Sequence, residues 1–186
     1  MIPEAGATKH PARELPEAER IDYLSVVASL VLADHEVDEK EIARLRDLCR
    51  TLGVSDAGQE AVLAAAARPE PEVLDEILAR LKRNVPLRYS LLTDAVVIVF
   101  ADGKVADAEP QEIARLGRAL EVAPFQIGLI SRYVESVILG RAGHSDEQAL
   151  SRELGLGLVA EGRGAVGPGA AAIRWLHNAL RPGAER

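Results

Sequence analysis

Apolar residues recur along this chain at the three-to-four spacing of helices that bury one face, in seven stretches divided by prolines, glycines and acidic clusters. The first stretch starts near Pro16, a residue tolerated in an opening turn, and carries Ile21, Leu24, Val27, Leu30 and Val31 on one broad stripe. The second, from about Glu39 to Leu52, sets Ile42, Leu45, Leu48, Cys49 and Leu52 on one face, with Gly53 suited to end it. Asp56 can cap the third, which bears Val62 and Leu63 among alanines; Pro69 and Pro71 break it off. The fourth, from about Pro71 to Arg83, shows Val73, Leu74, Ile77, Leu78 and Leu81. Pro86 opens the fifth, which is apolar almost all round from Leu91 to Phe100 and so predicts the buried centre of a bundle. The sixth carries Ile113, Leu116 and Leu120; the seventh begins at Pro124 and carries Phe125, Ile127, Ile130, Val134, Val137 and Ile138.

These stretches are not independent. The segment Ala33-Asp34-His35-Glu36-Val37-Asp38-Glu39-Lys40-Glu41 returns further along the chain as Ala101-Asp102-Gly103-Lys104-Val105-Ala106-Asp107-Ala108-Glu109. The offset between them is the same throughout. It holds without a gap downstream, where Leu48, Arg50, Leu52 and Val54 meet Leu116, Arg118, Leu120 and Val122, and upstream, where Tyr23 to Leu32 overlies Leu91 to Phe100. Ungapped self-similarity of this length predicts an internal duplication, each copy an apolar helix, an acidic turn and an amphipathic helix. The expected fold is all-α: a compact seven-helix bundle with an internal two-fold duplication over residues 17–141. A flexible arm over residues 1–16 and a glycine-rich tail with short helices over 142–186 flank it.

Composition narrows the partners. Aromatics make up only 3% of the 186 residues, so Leu, Val, Ile and Ala must build the core, which favours packed helices over a sheet. A net charge of −7 argues against nucleic acid, whose phosphates need a basic surface. One cysteine, Cys49, excludes an internal disulfide and fits a reducing compartment. The N-terminus has no apolar signal region, and no run of about 18 apolar residues offers a transmembrane segment. The expected location is the cytoplasm, with association to a membrane through a complex.

The candidate chemistry lies in the two acidic turns. Asp34, Glu36, Asp38, Glu39 and Glu41 in one, and Asp102, Asp107 and Glu109 in the other, offer the clustered oxygens that calcium, magnesium or manganese prefer, without the EF-hand spacing. Helix capping is the competing explanation. Asp38 and Glu41 form a good capping pair, and acidic residues in a first turn suit the helix dipole. In the second copy Ala106 replaces the cap and Pro110 disfavours so early a helix start, yet Asp and Glu keep their spacing. His35 stands where the second copy has Gly103, Cys49 falls on an apolar face as a core residue would, and His144 and His177 have no partner nearby in sequence. Asp94, inside the apolar fifth helix, implies a polar gap or a bond to a helix end. No phosphate loop, Ser/His/Asp cue or zinc-type cluster stands out, so no catalytic residue is expected.

In the tail, Ser145 and Gln148 have the spacing of a capping box, six glycines follow from Gly155 to Gly169, and Ala170 to Leu180 then holds Ile173, Trp175, Leu176 and Leu180. Residues 173, 176 and 180 share one helical stripe, with the single tryptophan beside it. These four are the candidate partner-binding residues; the same pattern also suits a helix folded back on its own domain.

The phrase Ala101-Asp102-Gly103-Lys104-Val105 with Glu109, preceded by an all-apolar helix, resembles the TerB family of tellurite-resistance proteins, as does the first copy from Ala33-Asp34 to Glu41. The likeness covers roughly residues 17–141. It implies a compact helical, non-catalytic domain whose acidic turns bind a divalent metal, here through Asp34, Glu41, Asp102 and Glu109. It also implies a part in stress response or in membrane-linked complexes. His35 in place of the family's glycine and Pro110 after Glu109 are departures, the first of which weakens the first half-site more than the second. A helical adaptor docking through its tail is the alternative, and a carboxylate-metal hydrolase a distant third.

Overall fold

The computed structural model describes residues 10–31, 39–99, 109–138 and 149–150. Among these the chain forms seven α-helices and no strand: α1 (Glu17–Val31), α2 (Glu39–Leu52), α3 (Asp56–Ala67), α4 (Pro71–Leu81), α5 (Val85–Val99), α6 (Glu109–Ala119) and α7 (Pro124–Ile138). As its sequence requires, α5 is the centre. Eleven of its fifteen residues are buried, which leaves no solvent face, and it packs against α1, α2, α6 and α7. α1 is likewise buried all round from Tyr23 to Ala28, whereas the amphipathic helices α2 and α6 turn one face inward. Leu45, Leu48, Cys49 and Leu52 of α2, and Ile113 and Leu116 of α6, point into one continuous core with Leu24, Val27 and Val62.

The duplication is a duplication of structure. The offset that carries Ala33 onto Ala101 also carries Glu17 and Val31, the ends of α1, onto Val85 and Val99, the ends of α5. It carries Asp56, the start of α3, onto Pro124, the start of α7, and α1 packs on α3 as α5 packs on α7. The turns that end the second helix of each copy agree in detail. Gly53 and Glu121, at equivalent positions, both have positive φ, at 68° and 56°. Beyond them, Val54 N–H donates to the Cys49 carbonyl at 3.0 Å and Val122 N–H to the Gly117 carbonyl at 2.8 Å. This is the closing bond of a helix that stops on a left-handed residue, and it turns Val54 and Val122 inward, where both are buried. Pro110 falls in the first described turn of α6, where a proline is tolerated.

Two expectations change. Ser55, not Asp56, caps α3, its Oγ accepting from Gly58 N–H at 3.2 Å. Residues 10–15, expected within a flexible arm, instead form a strap: a 3-10 turn, Pro11–Glu14, that packs on α1, α2 and α5 with His10 and Ala12 buried. No amphipathic period announces such a short piece, since it is anchored by side chains rather than by a face. Arg13 Nη1 fixes its far side by donating to the Thr51 carbonyl at 3.0 Å.

Candidate functional site

A buried polar cluster sits where the strap meets α1 and α5. Asp94, 2% exposed on α5, accepts at Oδ2 from the Tyr23 hydroxyl of α1 at 2.5 Å and from His10 Nε2 at 2.9 Å. His10, 1% exposed, caps its own turn: Ala12 N–H donates to Nδ1 at 3.0 Å. That bond needs a lone pair on Nδ1, so the ring proton is on Nε2, facing Asp94, with Ser90 Oγ also 3.0 Å from the same nitrogen. The His10 and Tyr23 rings meet edge-on, 5.8 Å between centroids. Burial, and then the negative charge of Asp94, push the Tyr23 phenol well above its usual range, so it stays a donor. A Ser, a His and an Asp are thus in contact, but in an arrangement unlike that of a nucleophile triad. There the hydroxyl and the carboxylate use opposite ring nitrogens; here both use Nε2 and a backbone N–H takes the other. Closed from solvent, the cluster latches the strap to the central helices.

An accessible cleft of about 750 Å³ lies further along α1. Val26 and Leu30 of α1, Ala66 of α3, Leu74 and Leu78 of α4 and Leu116 of α6 line it, with Asp75 and Arg115 its charged residues. Its walls follow from local sequence. Pro69 and Pro71 separate α3 from α4, and Pro71 opens α4 in its first turn. The volume falls within the roughly 300–1,000 Å³ of pockets that take up a sizeable apolar group.

The residues expected to bind metal are only partly placed. Asp34 and Asp102 lie outside the described residues. Glu41 lies in the first turn of α2 and Glu109 opens α6, with their side chains undescribed. What the fold does establish is that the two acidic segments follow equivalent helices, α1 and α5, which pack against each other. Their donor set, carboxylate oxygens only, suits a hard divalent cation and not a thiophilic one. Among the described residues, no group of three or more His, Cys, Asp or Glu is placed to hold a metal ion. Ile173, Trp175, Leu176 and Leu180 lie outside the described residues, as do His35, Ser145, His144 and His177; the last described residue, Leu150, is buried against the core. Cys49 is core, its thiol pushed up to about 11 by burial.

Sequence reasoning located Asp94 as a residue needing a polar partner but missed the partner. The signal was there: a histidine directly before a proline-opened turn, ahead of a helix carrying Tyr23 among apolar residues. Only the fold shows that His10 and Asp94, so far apart in the chain, close on each other.

Residues 5–64 match the family model described as tellurite resistance protein TerB. The matched stretch runs through the strap, α1, α2 and most of α3, and so spans the first copy of the repeat. The chain carries a TerB-like helical domain, as its acidic motif suggested. No curated protein and no solved structure gave a significant match. No helix among the described residues is long and apolar enough to cross a membrane.

Proposed function

We propose that this is a non-catalytic TerB-like domain that binds a divalent cation through its paired acidic turns. In this reading it serves in the cytoplasm, in a stress-response or membrane-associated complex. The observation that carries the reading is the structural repeat. The segments 33–41 and 101–109 follow α1 and α5, which pack together and are equivalent in both length and position. Asp34 and Asp102 then follow helix C-termini, where carboxylates repel one another and the helix dipole. Glu41 and Glu109 stand in the first turns of the helices that come next. A divalent cation would relieve that repulsion, and its binding would stabilise the fold by RT ln(1 + [L]/Kd).

Thermal melting of chelator-treated protein tests this. Calcium, magnesium or manganese should raise Tm, by an amount that grows with metal concentration. Asp102→Asn with Glu109→Gln should abolish the response with helical content kept. Asp34→Asn with Glu41→Gln should reduce it less, because His35 sits where the second copy has Gly103. A Tm unmoved by all three metals would leave helix capping as the role of these carboxylates.

The second reading, a helical adaptor, is favoured by the apolar cleft. There the acidic turns are structural and Ile173, Trp175, Leu176 and Leu180 dock the tail on a protein partner. Pull-down with the intact chain and with a Trp175→Ala, Leu176→Ala variant separates the two: loss of the partner with the metal response intact assigns docking to the tail.

A further inference from the structure

The cleft marks the place where the repeat stops being symmetric. On one side of the bundle α2 and the strap close over α5. On the other, the counterparts α6 and α4 stand apart along α1, and the space between them is the cleft. The consequence is visible in one pair of residues. Ile98 of α5 is buried, while its counterpart Leu30 of α1 is only half-buried and lines the cleft wall.

We propose that the cleft is covered by the chain's own C-terminal segment, residues 170–181, with Ile173, Leu176 and Leu180 turned into it. Three observations converge on this occupant. First, the shapes agree. The segment is an amphipathic stretch that would form a helix about 18 Å long. The cleft has room for a few large side chains rather than a whole helix, so the helix would lie across its mouth with the stripe inward. Second, the charges agree. Residues 1–150 carry 26 acidic and 17 basic residues, whereas residues 151–186 carry three acidic and five basic. Arg174 and Arg181 belong to the docking segment, which has no acidic residue; the cleft's own charges, Asp75 and Arg115, cancel, so the match is to the acidic domain as a whole and, on the cleft, to Asp75 alone. Third, the tether is long enough. Leu150 is anchored in the core, and the 22 residues before Ile173 can span about 70 Å. That exceeds the roughly 40 Å width of a domain of this size. A tether of that kind holds its end at an effective concentration approaching millimolar, far above that of a second copy in dilute solution. The cleft is therefore a surface the chain covers itself, and a partner seeking it must displace the tail. The metal reading does not depend on this and is tested separately.

Trp175 is the only tryptophan, so its emission reports on the segment directly in the full-length protein. The emission should lie to the blue of the unfolded chain and resist acrylamide quenching, independently of protein concentration. Leu74→Arg, in the cleft wall, should return it to the unfolded position with the helical signal retained. Ala67→Arg, at an exposed position on the cleft, should do the same should Leu74→Arg fail to fold. Val73→Arg, exposed on α4 and away from the cleft lining, should change nothing. Three results would overturn the proposal: a water-exposed Trp175 in the wild-type monomer, protection that survives both cleft variants, or protection that appears only as the protein self-associates.

Discussion

Asp22 of α1 and Ser90 of α5 hold the same place in the two copies of the repeat, and each receives the segment that precedes the other copy's central helix. Arg80, at the end of α4, pairs with Asp22 at the surface. His10, two residues before Ala12, the counterpart of Arg80, meets Ser90 and Asp94 in the interior. One exchange of segments therefore produced an exposed ion pair in one half and a buried hydrogen-bonded cluster in the other. The difference shows what sets the worth of a contact: not its place in the fold but whether water can replace it. An exposed pair gains little over its two solvated ions, whereas a buried carboxylate that loses its donors bears the full cost of desolvation.

The largest test of this comparison lies on the two central helices. Ile98→Asp should abolish folding, since an unpaired buried charge costs several kcal/mol, on the order of a whole domain's stability. Leu30→Asp, at the equivalent position on the cleft, should be milder and leave a cooperative urea transition at lower midpoint. Equal loss in both would mean that Leu30 is packed as tightly as Ile98, cover of the cleft included. Next comes the pair of exchanged contacts. Asp94→Ala removes the acceptor shared by the Tyr23 hydroxyl and His10 Nε2–H, leaving Ser90 Oγ between them, and should cost about 2 kcal/mol in urea denaturation. Arg80→Ala should cost under about 1 kcal/mol.

A smaller contrast separates the two helix ends. Gly53→Ala should destabilise by about 1 kcal/mol, because the position is left-handed and an added Cβ would meet Arg20 Nη1 at 3.2 Å. Glu121→Gly should do the opposite, relieving φ of 56° at the loss of only the exposed Lys82 pair. The smallest effect is expected from Glu17. Its Oε1 accepts from Ser55 N–H at 2.9 Å, and the hydrogen bond to Ser55 holds its carboxyl below the usual 4.5. A depressed carboxylate contributes stability above its unfolded pKa and loses it as pH falls through the folded one. The Tm difference between wild type and Glu17→Gln should therefore be present at neutral pH, shrink as pH falls below the usual 4.5 and vanish once the folded carboxyl is itself protonated. A difference that persists in acid would show that packing, not charge, holds α1 to α3.

The halves also pack their helices closely by different means. In the first, Gly58 lets α3 lie on α1, where a Cβ would meet Val54 and Ile21. In the second, Gly117 makes room on α6 for the Ile127 side chain of α7. Neither glycine has a glycine at the equivalent position of the other copy, since Gln126 and Cys49 stand there. A repeat can preserve backbone and core volume while moving the point of closest approach, because interiors demand filled space rather than particular residues.

The seven helices, their order and the repeat were legible in the residues, because helical period, proline breaks and an ungapped offset are local quantities summed over many positions. The bounds of α2 were read directly from the run that ends at Gly53, and the apolar circumference of α5 announced its central place. The TerB likeness rested on one short acidic motif used twice. Tertiary structure alone decided three further matters: that His10 belongs to the interior, that Asp94 is satisfied by the strap and Tyr23, and that α6 and α4 leave a cleft along α1 while the strap packs on α2 and α5. Each depends on residues far apart in sequence meeting in space. A side chain's period says which face it occupies, but not what, among segments remote along the chain, will come to cover it.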